Sequence, residues 1–334
     1  MRGQLPNIAA PRVEGSKVTV LIVMRTFRSE LLVVDTTEET RMLGYAVKVA
    51  GLQAPAVVLP HSHHVMVGAM RFHYLDWGGK GHPVLFLHGG GLNAHTWDVV
   101  ALMLHERLRC IALDQRGHGD SEWSPGRDYG VETQVGDIEG FVELLRLENP
   151  LLVGQSMGGL NAIAYAIRHS ERIKGLVVVD VGPEINPSGA ERIREFSSTP
   201  ELDSPEAFLE RAVKFNPLRD PEVLRRSLFY NLRQLPSGKW TLKHDQRRSV
   251  EDSARANARR EQLAGQIEKI SSPTLIVRGA CSDILSDEAA QKFARTLPRA
   301  RWVRVEGAGH NVQGDNPRGL LEAIDPFLDE IGLK

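Results

Sequence analysis

Cysteine, net charge and long apolar runs are all scarce in this chain of 334 residues. Two cysteines, Cys110 and Cys281, cannot build a disulfide framework. Such sparing use suits a reducing compartment, and a cytoplasmic location is the expectation. Lys and Arg number 41 against 42 Asp and Glu, a formal net charge of −1. That balance supplies no field to hold nucleic acid or an anionic membrane, and neither is expected as a partner. No apolar run approaches the roughly 18 residues of a membrane span. The longest, Val18 to Met24, stops at Arg25. The first residues lack a charged stretch followed by a long apolar one, so no secretory signal is expected. Internal repeats and low-complexity tracts are also missing. What remains is an ordinary globular composition, 42% hydrophobic and 25% charged. The length suits one large α/β domain carrying an insertion.

The chain divides into three zones. Residues 1–60 hold two β-rich runs, at 18–24 and 30–35, then a small-residue stretch ending at Pro60; they read as an N-terminal extension. The cluster HSHH at 61–64 reads as a solvated turn before a strand, since it lacks the paired ligands of known metal spacings. From His64 the pattern alternates around Gly68-Ala69, which predicts an antiparallel hairpin. Short continuous apolar runs follow at 84–88, 110–114, 151–156, 175–180, 274–279 and 301–307, with helix-period segments between them. Such runs fit strands buried on both faces of a mostly parallel, doubly wound α/β sheet. About 90 residues part the runs at 175–180 and 274–279, and this interval is helical in pieces. Ser204-Pro205 and Asp220-Pro221 each set a capping residue before a first-turn proline. The interval therefore reads as a helical cap over 183–272, inserted into a core of 61–182 and 273–334.

The densest local signal is Gly154-Gln155-Ser156-Met157-Gly158, after an apolar run and before a helix-period segment. A serine at the tip of a sharp strand-to-helix turn is strained, and only small residues two positions either side avoid a clash. Its hydroxyl needs a base, and His310, in the glycine-rich loop GAGH after the last strand, is the candidate. The imidazole needs a carboxylate to fix its tautomer. Asp283, just after the strand at 274–279, is the first choice for this role. Asp180, ending the previous strand, is the rival, and Asp287 reads as an early-helix acid. An oxyanion hole needs two converging backbone amides. His88-Gly89-Gly90-Gly91 offers a glycine loop, so one donor is assigned to Met157 and the other to Gly90, with Gly91 as the alternative. Gly91, His95 and Trp97 flank the expected site and are candidate substrate contacts.

These pieces resemble the α/β-hydrolase superfamily. The resemblance rests on HGGG (88–91), DQRGHGDS (114–121), GQSMGG (154–159), SD (282–283) and GAGH (307–310), in order, from about residue 64 to the C-terminus. It implies that Arg116 to Ser121 form a structural loop, so His118 is not counted as catalytic. It implies too that the cap covers an acyl pocket. Serine at the nucleophile position argues against the family's dehalogenases and epoxide hydrolases, which use aspartate there. The expected activity is hydrolysis of small or medium carboxylic esters through an acyl-enzyme on Ser156, with no metal and no organic cofactor. A lactonase, carbon–carbon bond hydrolase or perhydrolase with the same triad is the alternative, as is a slow-turnover small-molecule receptor. Phe215, Phe229, Tyr230 and Trp240 of the cap either line the pocket or pack the cap. Self-association into a homo-oligomer is left open.

Overall fold

The computed structural model describes residues 36–198, 201–247 and 260–333. The β-rich runs at 18–24 and 30–35 lie outside those residues, as does most of the last cap segment expected to be helical.

Eight strands form one sheet: β1 (His61–Val67), β2 (Met70–Asp76), β3 (Pro83–Leu87), β4 (Arg109–Leu113), β5 (Leu151–Gln155), β6 (Gly175–Val179), β9 (Thr274–Gly279) and β10 (Ala300–Val305). Their order is β1-β2-β4-β3-β5-β6-β9-β10, antiparallel through β2 and parallel from β4 onward. Side chains alternate between two apolar layers: Leu85 and Leu87 of β3 enter one cluster, Val84 and Phe86 the other. Both layers are covered by helices, which is why the central strands carry almost no polar residue. The helices are α2 (Asp98–Leu104), α3 (Val131–Leu144), α4 (Met157–His169), α8 (Asp287–Thr296), the single turn α9 (Val312–Asp315) and α10 (Pro317–Glu330). Among the described residues no helix is long and apolar enough to cross a membrane.

The expected hairpin is present, with Gly68 at φ 57° in its turn. Its first strand begins at His61, so HSHH is edge strand and not turn. Pairing with β2 satisfies its backbone on one side, and four exposed polar residues suit a sheet edge. A helix absent from the sequence reading, α1 (Thr36–Val49), precedes it. Glu38 and Glu39 sit in its first turn and Lys48 in its last, complementing the helix dipole. Leu43 and Val47 pack on Leu102 of α2, so this part of 1–60 belongs to the same compact unit as the core.

The interval expected to form the cap holds helices α5 (Pro187–Ser197), α6 (Pro205–Phe215) and α7 (Pro221–Asn231). Asn186, Ser204 and Asp220 each cap a helix with a proline in its first turn, their side chains accepting N–H groups of Ser188, Ala207 and Glu222. A small hairpin, β7 (Leu232–Gln234) and β8 (Trp240–Leu242), follows and turns at Gly238, φ 84°. Phe208, Leu224, Leu228, Leu232 and Leu242 form the cap's own core. Trp240 packs against it and Phe215 stacks on Phe196, while Phe229 is exposed.

Candidate active site

Ser156 stands between β5 and α4 with φ 52° and ψ −116°. That conformation costs a non-glycine residue about 1–3 kcal/mol, and it persists because the surroundings over-determine it. Its amide donates to Val179 of β6 at 3.1 Å, and its carbonyl accepts the Leu160 amide at 3.0 Å. The flanking glycines are sterically required. A Cβ on Gly154 would lie 2.4 Å from the Gly158 carbonyl oxygen, and one on Gly158 2.3 Å from that of Leu87. Both obstacles are backbone.

His310 reaches the same end of the sheet by a loop that folds back across β9. Ala280 donates to the Val305 carbonyl and Cys281 to that of Ala308. A Cβ on Gly279 would lie 2.2 Å from the Gly309 oxygen, so β9 must end in glycine for the loop to pass. Gln155 ties the two halves together, its side-chain amide donating to the His310 carbonyl at 2.9 Å. From the cap side, the Gly309 amide donates to Asp315 at 2.9 Å, and Asp315 is held by Arg219 and Asn216.

His310 Nδ1 bonds Asp180 Oδ2 at 2.8 Å. Asp180 is fully buried, follows β6 and has φ 52°. It accepts the Gly279 amide at 2.9 Å and the Ser282 hydroxyl. With both of its oxygens already accepting hydrogen bonds, Asp180 is the acceptor in the His310 bond as well, and the proton of that bond is placed on Nδ1. The expectation of Asp283 in this role is corrected. Asp283 turns outward to Arg192 of α5 at 2.9 Å, and its backbone carbonyl lies against Gly189. The reason is strand order: β6 neighbours both β5 and β9, so its end faces the returning histidine loop.

Opposite Ser156 lies the loop 88–91. A Cβ on Gly90 would sit 4.0 Å from Met157 Cβ and Sδ, so the two residues assigned as amide donors are neighbours. Loop conformation is set by His88, which is fully buried. Its Nε2 accepts the Gln115 amide at 2.9 Å, which leaves Nδ1 to donate to the Gly89 carbonyl at 2.8 Å. Burial pushes its pKa down, so the ring is neutral. The carbonyl of His88 in turn accepts Gly158 N–H at 3.1 Å, which locks the loop to α4.

Gly91 and His95 are engaged by the cap. Gly91, at φ 77°, gives its carbonyl to the Asn231 side chain at 2.7 Å, and His244 and Ser197 lie beside it. His95 bonds Asp98 at 2.9 Å and stacks on Tyr230 with ring centroids 3.5 Å apart. Asp98 also pairs with Arg226 of α7, both buried. Burial alone would raise its pKa, but His95 and Arg226 reverse this and hold it below the ordinary value. Tyr230 reaches on to Glu39 of α1 at 3.0 Å. Trp97, expected at the substrate, is instead completely buried and packs against Phe86 at 5.2 Å. It lies in the short 3₁₀ turn leading into α2 and is core. Asn231, Arg226 and Gln155 were not singled out from sequence, because each acts through an element distant in the chain.

Comparison with known proteins identifies the fold family. A family model of the alpha/beta hydrolase fold matches residues 82–317. Esterase Rv0045c of Mycobacterium tuberculosis is 34% identical over 300 residues, covering 87% of this chain and 96% of its own. A crystal structure of that esterase superposes with a TM-score of 0.72 at 33% identity, covering 90% of this chain and all of that one. The 2-(acetamidomethylene)succinate hydrolase of Mesorhizobium japonicum is 29% identical over 260 residues, 75% of this chain and 89% of its own. On its fold, its sequence and its relatives, the chain belongs to the α/β-hydrolase family.

Proposed function

We propose that the protein is a serine hydrolase of small or medium carboxylic esters, working through an acyl-enzyme on Ser156. The observation that carries this reading is the bond from His310 to the buried Asp180, on a loop tied directly to Gln155, the residue before Ser156. Asp180 holds the proton of His310 on Nδ1, leaving Nε2 to take the Ser156 proton as Oγ attacks the ester carbonyl. The amides of Gly90 and Met157 receive the oxyanion. Collapse breaks the bond to the alkoxide, which takes the proton from Nε2 and leaves as the alcohol. Water then gives its proton to the same nitrogen and attacks the acyl carbon. Ser156 recovers its proton as the acid departs, so His310 carries every proton of the cycle. An ester is preferred as substrate because the relative at 34% identity is an esterase.

The test is hydrolysis of p-nitrophenyl esters from acetate to decanoate. The expected result is turnover of a short or medium ester at about 1–10³ per second, falling off for longer chains. Inactivity across the series would overturn the ester assignment.

A further inference from the structure

Ser62, His73 and Asp114 form a second serine–histidine–carboxylate chain. It lies at the far edge of the sheet: β1 is four strands from β5 in the sheet order, about 19 Å at ordinary strand spacing. The hairpin register makes it. His64 pairs with His73 and Ser62 with Leu75, which sets Ser62 and His73 on one sheet face as diagonal neighbours. β2 in turn pairs with β4, and Asp114 follows directly on β4. Ser62 Oγ lies 2.8 Å from His73 Nε2, and His73 Nδ1 lies 2.7 Å from Asp114 Oδ2.

Proton positions follow from the partners. Asp114 Oδ1 accepts the Ala94 amide at 2.6 Å, and Oδ2 also accepts the Asp120 amide at 2.8 Å. Burial works to raise this carboxyl, but its hydrogen bond to His73, joined by the charge interaction whenever that ring is protonated, carries it well below the usual carboxylate range. The proton between the two therefore belongs to His73 Nδ1. In the neutral ring Nε2 is then an acceptor, and the Ser62 hydroxyl is its donor. His73 and Asp114 are buried, whereas Ser62 is exposed. A buried relay thus ends in a hydroxyl open to solvent. Asp120, close to the pair, is engaged by Lys243 at 2.8 Å, so the group is a bonded network and not a cation cage.

We infer that Ser62 is a second activated nucleophile, a self-acylation site for activated esters and their phosphonyl analogues. Ser62 Oγ bonds to the electrophilic carbon or phosphorus as its proton passes to His73 Nε2. The bond to the leaving group breaks, phenolate or fluoride departs with the electron pair, and His73 releases the proton to solvent. Amides along a β-strand point alternately to its two sides and do not converge as an oxyanion pair. The reaction therefore stops at a stoichiometric adduct.

The test uses Ser156→Ala protein, so that Ser156 cannot report. A fluorophosphonate probe is reacted with the folded protein, and adducts are quantified by peptide mass spectrometry against time. Ser237, exposed in the turn of the cap hairpin, serves as reference within the same molecule. The expected result is Ser62 modified at least about 100-fold faster than Ser237, with the excess removed by His73→Asn, as loss of a general base requires. Equal rates at Ser62 and Ser237 would overturn the inference, and this comparison does not depend on the His73 variant folding. Ser62→Ala in the otherwise unaltered chain should lose this adduct and keep ester turnover. The outcome is independent of whether Ser156 carries the main reaction.

Discussion

Ser156→Ala is expected to lower kcat/KM for a short p-nitrophenyl ester by about 10⁴-fold or more, since residual catalysis then rests on binding and the amide pair alone. Stability should hardly change, because the side chain is small and only partly buried. Ser156→Gly makes the contrast sharper. At φ 52° and ψ −116° the backbone is strained for any residue with a Cβ and accessible to glycine. Relief of that strain exceeds the extra entropy of an unfolded glycine, so the variant should gain about 1 kcal/mol while losing activity as fully as the alanine variant. Urea unfolding beside ester kinetics measures both. A stable variant without activity means the strain serves the hydroxyl's placement. A glycine variant less stable than wild type would mean the turn is held by contacts of the serine itself.

Asp180→Asn should cost about 10⁴-fold in kcat, through the wrong imidazole tautomer. Oδ1 faces the Gly279 amide, and Oδ2 faces both Ser282 and His310. An asparagine NH₂ turned toward Gly279 N–H leaves a buried donor unpaired, at about 1–3 kcal/mol of stability. Turned toward His310 it donates to Nδ1 and holds the ring in the tautomer whose Nε2 already carries a proton. Asp283→Asn is the matched control. Its partner Arg192 is largely exposed, so the pair is worth at most about 1 kcal/mol. Its kcat should stay within about three-fold of wild type, because it makes no contact with His310 that a neutral amide would disturb. If Asp283→Asn fell as far as Asp180→Asn, the assignment of the acid would be wrong.

The contrast between these aspartates shows how far the sequence could be read. The sharp turn at Ser156 and the returning loop of His310 were legible because their signals are local: glycines at fixed offsets, an apolar run before, a helix period after. The acid was not. Both Asp180 and Asp283 follow strands, and choosing between them requires knowing that β6 lies between β5 and β9. Trp97 misled for a related reason. It stands two residues from His95 in the chain, yet the 3₁₀ turn carries it inward onto Phe86. Helix α1 was missed although Leu43, Ala46 and Val47 have helical spacing, since its first six residues are threonine, glutamate and arginine and leave only a short apolar stripe. The hairpin β7–β8 hid among charged helices, although Pro236-Ser237-Gly238 marks its turn. Cap contacts such as Asn231 to Gly91 join residues 140 positions apart, and no pattern within a segment encodes them.

The most direct measurement is the site of covalent modification during loss of activity. The unaltered protein is treated with limiting fluorophosphonate, and residual esterase activity is followed beside peptide mass spectrometry. Activity should fall in proportion to modification of Ser156, reaching zero at one adduct per chain there, with Ser62 reacting later and without further loss. Full esterase activity with Ser156 modified, or inactivation with Ser156 untouched, would contradict an acyl-enzyme on this serine.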